Sequence, residues 1–488
     1  MSFTIEYDAS TARFLEPLPE WLQNTLYEHT RWTNKSIDYQ NYRNKNKFYY
    51  TPKPTEFYCY NKEDNSFPTG LIPHLLDKLN EHNIPVELKR TFEYTTPKEF
   101  CVPGWAFEHQ KEAITAALKY KRGLISSPTG SGKTLILAFI AAQYPEAKIL
   151  VVATSTDTFR NITQTLGDYL DEPIGQVGDG KSKWQRVTVG IINSLAKHAA
   201  GKYSAEMEAT DVLLADEVHH MGNTYGLAIS AACNRTTSRI GVSGTLQRAD
   251  GADLVVEGIF GPAILKIPES AMVNLGVTMH PDCYFVKTPS FKCDLSYIKQ
   301  KYPDIRNGIY TEGIVKNLER NKLIVGLIES FISSPVRTGS ALVLVQIIRH
   351  GEYLQELFQE RGLAVPYVHG ESASRDRKEV IDLLKENKVP AVIASTIFDE
   401  GVDIPSLELV CNAGGGSSER AIIQRIGRAN RVDRTLKKDR SIYMDFYDDE
   451  PEVLRPQANK RMRHIECRYK GAVKILVKDR VMALLNGI

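Results

Sequence analysis

The sequence has few cysteines, and their spacing excludes two classes of small stabilised protein. The seven cysteines are scattered, odd in number and without a Cys-x-x-Cys pair, so the chain is not a disulfide scaffold and a zinc site is not expected. The chain also lacks an uninterrupted apolar stretch near ~20 residues, and its first residues lack the basic-then-apolar pattern of a secretion signal. We therefore expect reduced thiols, a cytoplasmic location and no association with a membrane.

A strong net charge is also missing. The 61 basic and 59 acidic side chains nearly cancel, which gives a formal charge of +2. Such a total neither requires nor excludes a nucleic-acid partner, because a near-neutral sum can hide a basic face. With 488 residues, of which 42% are hydrophobic, the chain is long enough for two or three domains, each with its own core.

What the sequence does contain is a phosphate-binding loop. Residues 127–134 read SPTGSGKT and lie between an apolar run and a helical pattern. Gly130 and Gly132 permit a close approach of the backbone to phosphate that a Cβ would block. Lys133 supplies a point charge for the β and γ oxygens, and Thr134 supplies a hydroxyl for Mg²⁺. The alternative is a glycine-rich turn before an ordinary helix, but the strand-loop-helix context favours a nucleoside triphosphate site.

Two adjacent acids follow a second apolar run. Residues 212–216 read VLLAD, and Glu217 comes directly after Asp216. Ligand-binding groups cluster at the carboxyl ends of parallel strands, so Asp216 is placed to hold Mg²⁺ together with Thr134. Glu217 can orient or deprotonate the water that attacks the γ-phosphate. Acids at a strand end are often solvated turn residues, but together with the phosphate loop this pair indicates hydrolysis of a nucleoside triphosphate.

Apolar runs alternate with helical patterns twice, which indicates an α/β fold with parallel sheets covered by helices on both faces. The runs are residues 123–126, 148–154, 187–193, 212–216 and 239–244, and then 341–346, 365–369, 391–396, 407–413 and 441–446. We predict two tandem domains, residues 96–268 and 311–450, with a linker or insertion at 269–310. Residues 1–95 are predicted to form a small α+β domain, and residues 451–488 a basic helical segment.

The second predicted domain carries its own polar signature at residues 424–431, QRIGRANR. On a helix, Gln424, Arg428 and Arg431 lie on one face, because they are spaced by four and three residues. Arginines offered to a transferring phosphoryl group stabilise its developing charge and contribute factors of roughly a thousand or more. The alternative is a solvated basic face.

In this order, the motifs resemble those of the superfamily 2 helicases from about residue 107 to residue 446. The family implies two RecA-like domains that close on ATP and Mg²⁺, with catalytic side chains from both domains. The catalytic residues that the resemblance implies are Lys133, Asp216, Glu217, Gln424, Arg428 and Arg431. The implied ATP contacts are Phe107, Gln110, Pro128, Thr129, Gly130, Ser131, Gly132, Lys133, Thr134, Gly401 and Asp403.

The resemblance also implies contacts beyond the nucleotide. His219, Ser243 and Thr245 match residues that couple the ATP cycle to the nucleic-acid groove. The positions that match DNA-binding residues are Thr154, Ser155, Asn193, Ser194, Arg248, His369, Gly370, Ser395 and Thr396. Contacts to phosphates carry no sequence information, so sequence-independent binding is expected.

A finer resemblance is to the XPB-type and phage UvsW-type helicases. It is carried by residues 241–246, GVSGTL, and by Arg248-Ala249-Asp250, which falls where XPB-type proteins carry Arg-Glu-Asp. It implies an ATP-dependent DNA helicase or translocase, acting as a monomer on forked, branched or junction DNA in replication, recombination or repair. The alternatives are an RNA helicase, a duplex translocase that does not unwind, and a nucleic-acid-binding protein with a vestigial ATPase.

Both ends of the chain are rich in lysine and arginine. The N-terminal stretch interleaves aromatic and basic residues, which are Trp32, Lys35, Tyr39, Tyr42, Arg43, Lys45, Lys47, Phe48, Tyr49, Tyr50 and Lys53. Bases of DNA can stack on exposed rings, although most rings in so short a domain are expected in its core. The C-terminal bases are Lys460, Arg461, Arg463, Arg468, Lys470, Lys474 and Lys478. They are expected to follow DNA phosphates or to form a solvated helix face.

Overall fold

The computed structural model describes two compact units, Met1–Ile267 and Pro268–Ile488. The described residues are 2–34, 37–38, 40–41, 51–98, 102–128, 130–246, 248, 250–291, 294–395, 404–433, 436 and 438–488, with Ser374 and Arg420 described by their backbone alone. Within these ranges no helix is both long enough and apolar enough to cross a membrane.

The first part of the first unit is a small α+β layer, as the sequence predicts. Its strands are β1 (Phe3–Tyr7), β2 (Thr11–Phe14), β3 (Arg31–Thr33), β4 (Glu56–Tyr58), β5 (Ser66–Pro68) and β6 (Val86–Arg90). Its helices are Glu20–His29 and Ile72–Glu81. Four strands form a sheet in the order β5-β2-β1-β6, and β3 and β4 form a separate antiparallel ribbon. Leu22, Leu26, Leu75 and Leu79 are buried because their four-residue spacing places them on the inner helix faces.

The rest of the first unit is an eight-stranded sheet in the order β10-β9-β11-β8-β12-β13-β7-β14. Its strands are β7 (Arg122–Ser126), β8 (Ile149–Ala153), β9 (Gly175–Gly178), β10 (Lys181–Lys183), β11 (Val187–Ile191), β12 (Val212–Asp216), β13 (Ser238–Ser243) and β14 (Ala263–Lys266). Its helices are Glu108–Tyr120, Lys133–Ala142, Thr156–Leu170, Ile192–His198, Ser204–Glu208, Thr224–Ala232 and Asp253–Phe260, with a 3₁₀ turn at Val218–Met221. The pairs that join β11, β8, β12, β13 and β7 are all parallel.

The second unit is a seven-stranded parallel sheet in the order β17-β18-β16-β19-β20-β15-β21. Its strands are β15 (Asp282–Lys287), β16 (Ser340–Leu344), β17 (Tyr367–Val368), β18 (Ala391–Ala394), β19 (Leu407–Asn412), β20 (Ile442–Tyr447) and β21 (Val473–Leu476). Its helices are Glu269–Asn274, Leu295–Lys301, Ile305–Tyr310, Leu318–Ile332, Ile348–Glu360, Ser374–Lys385, Glu419–Ala429, Arg455–Arg468 and Lys478–Leu485, with a π-helical turn at Thr311–Val315 and a 3₁₀ turn at Glu452–Leu454.

The two sheets confirm the predicted fold class, and every apolar run of both series overlaps a strand. Two segments differ from the expected organisation. β15 lies within the expected linker or insertion, and β21 lies within the expected helical C-terminus. β15 pairs with β20 on one side and with β21 on the other. These partners are distant in the chain, so the alternation of neighbouring elements did not reveal the pairing.

Candidate nucleotide site and its surroundings

The phosphate loop connects β7 to the helix Lys133–Ala142, as its sequence predicts. Gly130 and Gly132 have φ angles of +84° and +76°, which glycine adopts without strain. A Cβ on Gly132 would stand 2.5 Å from Nε2 of Gln110. The backbone angle therefore favours glycine at 132, and a larger residue there would displace the amide of Gln110.

Side chains before β7 hold the loop from outside. Nε2 of Gln110 donates to the carbonyl oxygen of Ser131 at 3.1 Å, and Nε2 of His109 lies 2.9 Å from the same oxygen. Oε1 of Gln110 accepts from the backbone N–H of Phe107 at 3.1 Å. The Phe107 ring is exposed and stacks on His109 at 5.7 Å between centroids. The structure thus brings Gln110, one of the ATP contacts that the resemblance implies, to the phosphate loop, with Phe107 beside it.

Ser127 stands where the phosphate-loop pattern has its first glycine, and the fold gives it a structural role. Its buried hydroxyl lies 2.5 Å from the hydroxyl of Ser131, which donates to the carbonyl of Pro128 at 2.7 Å. The backbone N–H of Ser127 donates to the carbonyl of Ser243 at 2.9 Å. This serine pair closes the turn on itself. Thr129 lies outside the described residues.

The acid pair lies at the carboxyl end of β12, as the sequence predicts. Glu217 has a left-handed backbone, with φ of +44°, and its Oε1 lies 3.7 Å from Nζ of Lys133. Burial, followed by the neighbouring Glu217 charge, raises the pKa of Asp216 to about 7, against the opposing effect of Lys133. Two adjacent carboxylates beside one ammonium group fit Mg²⁺, which binds through one or two carboxylates and substrate phosphates.

Ser243 connects the acid pair to the residues predicted to couple ATP hydrolysis to nucleic acid. Its hydroxyl donates to Oε2 of Glu217 at 2.9 Å or to the carbonyl of Thr245 at 2.8 Å, and it lies 2.8 Å from Nδ1 of His219. A hydroxyl has one proton, so it cannot donate to Glu217 and Thr245 at the same time. The position of the Glu217 carboxylate is therefore linked to the hydrogen bonding of Thr245.

The sheet order brings the site segments of the first unit to one edge. Parallel strands end at the same edge, and β11, β8, β12, β13 and β7 are consecutive neighbours. The residues that follow or end these strands are Asn193 and Ser194, Thr154 and Ser155, Asp216 and Glu217, Ser243, and the phosphate loop. Ser155 also caps the helix Thr156–Leu170, because its hydroxyl accepts from the N–H of Thr158 at 3.2 Å.

Arg248 is held inside the protein. Its Nε and Nη2 donate to the two oxygens of Asp250 at 2.9 and 2.6 Å, and its Nη1 donates to the carbonyl of His219. Its side chain is 13% exposed. The resemblance assigned Arg248 to DNA binding, but in the structure its guanidinium is engaged by these protein acceptors.

In the second unit, the helix Glu419–Ala429 carries Gln424 and Arg428 on one face, and it ends before Arg431. Arg428 is buried, and burial lowers the pKa of Arg431 to about 10. The expected spacing on one helix face therefore holds for Gln424 and Arg428, whereas Arg431 is placed by the chain that follows. Arg431 forms an isolated antiparallel bridge with Thr278.

A buried polar network that the sequence analysis missed supports this helix. Nη1 of Arg425 donates to Oδ1 of Asn412 at 2.7 Å, and Nδ2 of Asn412 donates to Asp445 at 2.9 Å. Asp445 accepts from Nε and Nη2 of Arg461 at 2.9 and 3.0 Å. Four separate segments of the chain meet here, so spacing along the sequence carried no signal for the network.

The other predicted contacts of the second unit lie at strand ends. His369 and Gly370 follow β17, and Ser395 follows β18, its parallel neighbour. The N–H of Ser395 donates to the carbonyl of Val368 at 3.1 Å. Thr396, Gly401 and Asp403 lie outside the described residues.

The flanking bases divide between surface and interior. Arg461 is buried in its ion pair with Asp445, so it is not a phosphate contact. Arg468 pairs with Glu269 at 3.0 Å, and Lys474 with Asp282 at 2.8 Å. In the N-terminal stretch, Trp32 and Lys53 are described. The members outside the described residues are Lys35, Tyr39, Tyr42, Arg43, Lys45, Lys47, Phe48, Tyr49 and Tyr50.

Comparisons with known proteins agree with this arrangement. Residues 106–248 match the family model of the type III restriction enzyme res subunit, and residues 321–433 match that of the helicase conserved C-terminal domain. The DNA 3'-5' translocase XPB2 of Sulfurisphaera tokodaii is 26% identical over 366 residues, which are 68% of this chain and 79% of that protein. The ATP-dependent DNA helicase uvsW of Enterobacteria phage T4 is 25% identical over 391 residues, 75% of this chain and 72% of that protein.

A likeness in fold extends over most of the chain. The structure of S. cerevisiae Dbp5 bound to RNA and ADP BeF3 covers 86% of this chain and 97% of its own, with a TM-score of 0.54 and 16% identity. At this identity the likeness concerns the fold, which is that of two RecA-like domains.

Proposed function

We propose that this chain, which belongs to the superfamily 2 helicases and hydrolyses ATP as they do, unwinds or branch-migrates forked and junction DNA as a monomer. Its relatives include proteins named as DNA helicases and translocases. We propose DNA as the substrate on that basis. Binding is proposed to be independent of sequence, because strand-end hydroxyls and amides such as those of Thr154 and Asn193 suit phosphate oxygens.

One observation carries the proposal, which is the connected set of side chains at the edge of the first sheet. Lys133 lies 3.7 Å from Glu217, Glu217 accepts from Ser243, and Ser243 contacts His219. In this set Glu217 orients the attacking water and accepts its proton, while Lys133 stabilises the phosphate charge. The hydroxyl of Ser243 links Glu217 to Thr245 and His219. Ser243, Thr245 and His219 are proposed to couple the ATP cycle to the nucleic-acid groove.

The nucleotide is proposed to sit on the phosphate loop, with Gln110 and Phe107 beside the base. Thr134 and Asp216 are proposed to hold Mg²⁺, which would neutralise phosphate charge and lower the barrier to phosphoryl transfer. Because Asp216 is buried, a bound cation rather than water would stabilise its carboxylate charge. The further ATP contacts proposed here are Pro128, Thr129, Gly130, Ser131, Gly132, Gly401 and Asp403.

The second unit is proposed to complete catalysis with Gln424, Arg428 and Arg431. Guanidinium groups stabilise the charge that develops on the γ-phosphate. Arg428→Lys keeps the charge but loses the planar fork of donors. We expect kcat for ATP to fall about a hundredfold while KM changes less than about threefold. Arg349→Lys, at an exposed arginine of the same unit, is the matched control.

The remaining DNA contacts proposed are Thr154, Ser155, Asn193, Ser194, His369, Gly370 and Ser395, which follow strands of the two units, together with Thr396, which lies outside the described residues. Alternating grip by two RecA-like domains would move the chain along one strand. Nothing in these contacts distinguishes one base from another.

The test compares ATP turnover and unwinding on blunt duplex, either tailed duplex, fork, four-way junction and RNA at matched salt. We expect stimulation by DNA and the fastest unwinding on forks and junctions. Faster turnover with RNA would identify an RNA helicase, and stimulation without strand separation a duplex translocase. Turnover that is insensitive to every nucleic acid would refute the proposal.

A further inference from the structure

Arg248 cross-links two segments of the first unit. Three of its nitrogens donate to protein acceptors, two of them to Asp250 and the third to the carbonyl of His219. Burial disfavours ionisation of Asp250, but the hydrogen bonds and charge of Arg248 outweigh it, so the net pKa of Asp250 is lowered. The pair is therefore a charged, bidentate link with a fixed geometry.

One end of this link is tied to the nucleotide site. His219, whose carbonyl accepts from Arg248, has its ring 2.8 Å from the hydroxyl of Ser243. That hydroxyl contacts Glu217, which in turn contacts Lys133 of the phosphate loop. A change at Glu217 when ATP is hydrolysed can therefore reach the backbone at His219 through two hydrogen bonds.

The other end of the link is tied to the N-terminal ribbon, β3 and β4. Asp250 begins a turn in which Gly251 has φ of +83°, and a Cβ on Gly251 would stand 2.8 Å from the carbonyl oxygen of Thr33 in β3. Trp32, also in β3, packs on the core cluster that contains Val218 and Ala252. The ribbon thus lies against the turn at Asp250, and its Trp32 packs on the core shared by the two segments that Arg248 joins.

Contacts between its two strands hold the ribbon together. Trp32 stacks on Phe57 across the two strands at 4.8 Å between centroids. Beyond the ribbon, the N–H of Asn34 donates to the carbonyl of Thr55 at 2.7 Å. The sequence enclosed by this pair, residues 35–54, contains five of the interleaved bases noted above. The ribbon therefore holds the two ends of the most basic and aromatic stretch of the N-terminal part.

We infer that Arg248 is a positioning residue that transmits the state of the ATP site to the N-terminal ribbon, rather than a residue that touches DNA. The inference rests on the proposed function, because the DNA-stimulated ATP cycle is what Arg248 would transmit. The physical reason is stiffness. A bidentate ion pair and a third hydrogen bond allow His219 and the turn at Asp250 to move only together.

The test uses the full chain with Arg248→Ala, Asp250→Asn or both, and measures DNA-stimulated kcat, KM for ATP, and DNA Kd over a series of salt concentrations. We expect each variant to lower stimulated kcat about tenfold, which corresponds to about 1.4 kcal/mol. KM and Kd should stay within about twofold, and the double variant should resemble the single ones, because the pair acts as a unit. Arg235→Ala, at an exposed arginine of the same unit, is the control.

A second measurement does not depend on turnover. Hydrogen exchange of the ribbon amides is followed with and without ADP-beryllium fluoride, a mimic of the triphosphate state. Protection of β3 and β4 should change on binding in the wild type and in Arg235→Ala, and the change should vanish in Arg248→Ala. Melting temperatures measured in parallel verify that each variant is folded.

Three results would overturn the inference, and they differ from each other. A raised Kd with a salt slope reduced by about one would make Arg248 a phosphate contact. Unchanged stimulation and an unchanged exchange response would show that the link transmits nothing. If DNA does not stimulate the wild type at all, the proposed function fails first, and this inference falls with it.

Discussion

The two units use the same kind of charged pair for opposite purposes. In the first unit, Lys133 and Glu217 lie 3.7 Å apart, with side chains 12% and 23% exposed. In the second unit, Arg461 and Asp445 lie 2.9 Å apart, with side chains 2% and 0% exposed. The first pair is loose and reaches solvent at the edge of a sheet. The second pair is tight and dry.

The difference in burial between the two pairs determines whether a charged pair can exchange its partner. A fully desolvated pair is costly to separate, so it fixes the segments that carry it. A partly solvated pair can exchange its partner for a ligand, because neither member is left uncompensated in a dry interior. On the proposed function, the first unit presents its charges to a ligand, whereas the second unit uses charges to hold Arg425 and the helix that carries Arg428.

The largest effect should come from disabling the partly solvated pair of Lys133 and Glu217. Glu217→Gln keeps the shape of the side chain but removes the general base, so we expect DNA-stimulated ATP turnover to fall at least about a thousandfold, roughly 4 kcal/mol of barrier. The melting temperature should stay within a few degrees. Turnover is measured as phosphate release, and retained turnover would refute the assignment of Glu217.

Breaking the buried pair should instead act on stability. Asp445→Asn leaves the Arg461 charge without a counter-charge, and we expect the free energy of unfolding to fall by about 3 kcal/mol. Urea unfolding followed by circular dichroism measures this change. Glu352→Gln, which disrupts the exposed pair with Arg349, should change it by less than about 0.5 kcal/mol. Equal losses in both variants would contradict the contrast.

A buried histidine of the second unit should make the free energy of unfolding depend on pH. His350 contacts Oδ1 of Asn321 at 3.0 Å. Burial, followed by the charge of Arg320, lowers the pKa of His350 from 6.5 to about 3. Between these values the unfolded chain binds a proton that the folded chain does not, so the free energy of unfolding falls as the pH is lowered.

This group should make the wild type lose about 2 kcal/mol between pH 7 and pH 5. His350→Gln lacks the titrating ring and should lose that much less over the same interval. Urea unfolding of both proteins at the two pH values measures the difference. An identical loss in the two proteins would show that His350 does not carry the effect.

The smallest expected effect concerns the basic and aromatic residues between Asn34 and Thr55. Replacing residues 35–54 by Asn-Gly should keep the ribbon, because such a pair closes a two-residue hairpin and Asn34 already bonds to Thr55. We expect DNA Kd to rise about tenfold, roughly 1.4 kcal/mol, with a reduced salt slope. A variant with only the bases of this stretch changed to glutamine separates charge from stacking. An unchanged Kd would assign this stretch to the fold alone.

Local patterns predicted much of the molecule. Three features could be predicted because they depend on neighbours within a few residues. They are the phosphate loop, the strand that ends at Asp216 and the two series of strands. Ser127 shows the limit of such patterns, because its departure from glycine became intelligible only when its hydroxyl was found against Ser131. β15 shows another limit, since its partners lie far along the chain.

The sequence by itself determined which chemical groups are present and on which elements they lie, because periodicity and turn residues act over short distances. Only the tertiary structure decided which strand ends share an edge, that Arg248 is bound by Asp250 and His219, and that Arg461 is buried while Lys133 is not. The physical reason is that the burial and pairing of a charge depend on segments distant in the chain. The spacing of residues along one segment does not show where those distant segments lie in the fold.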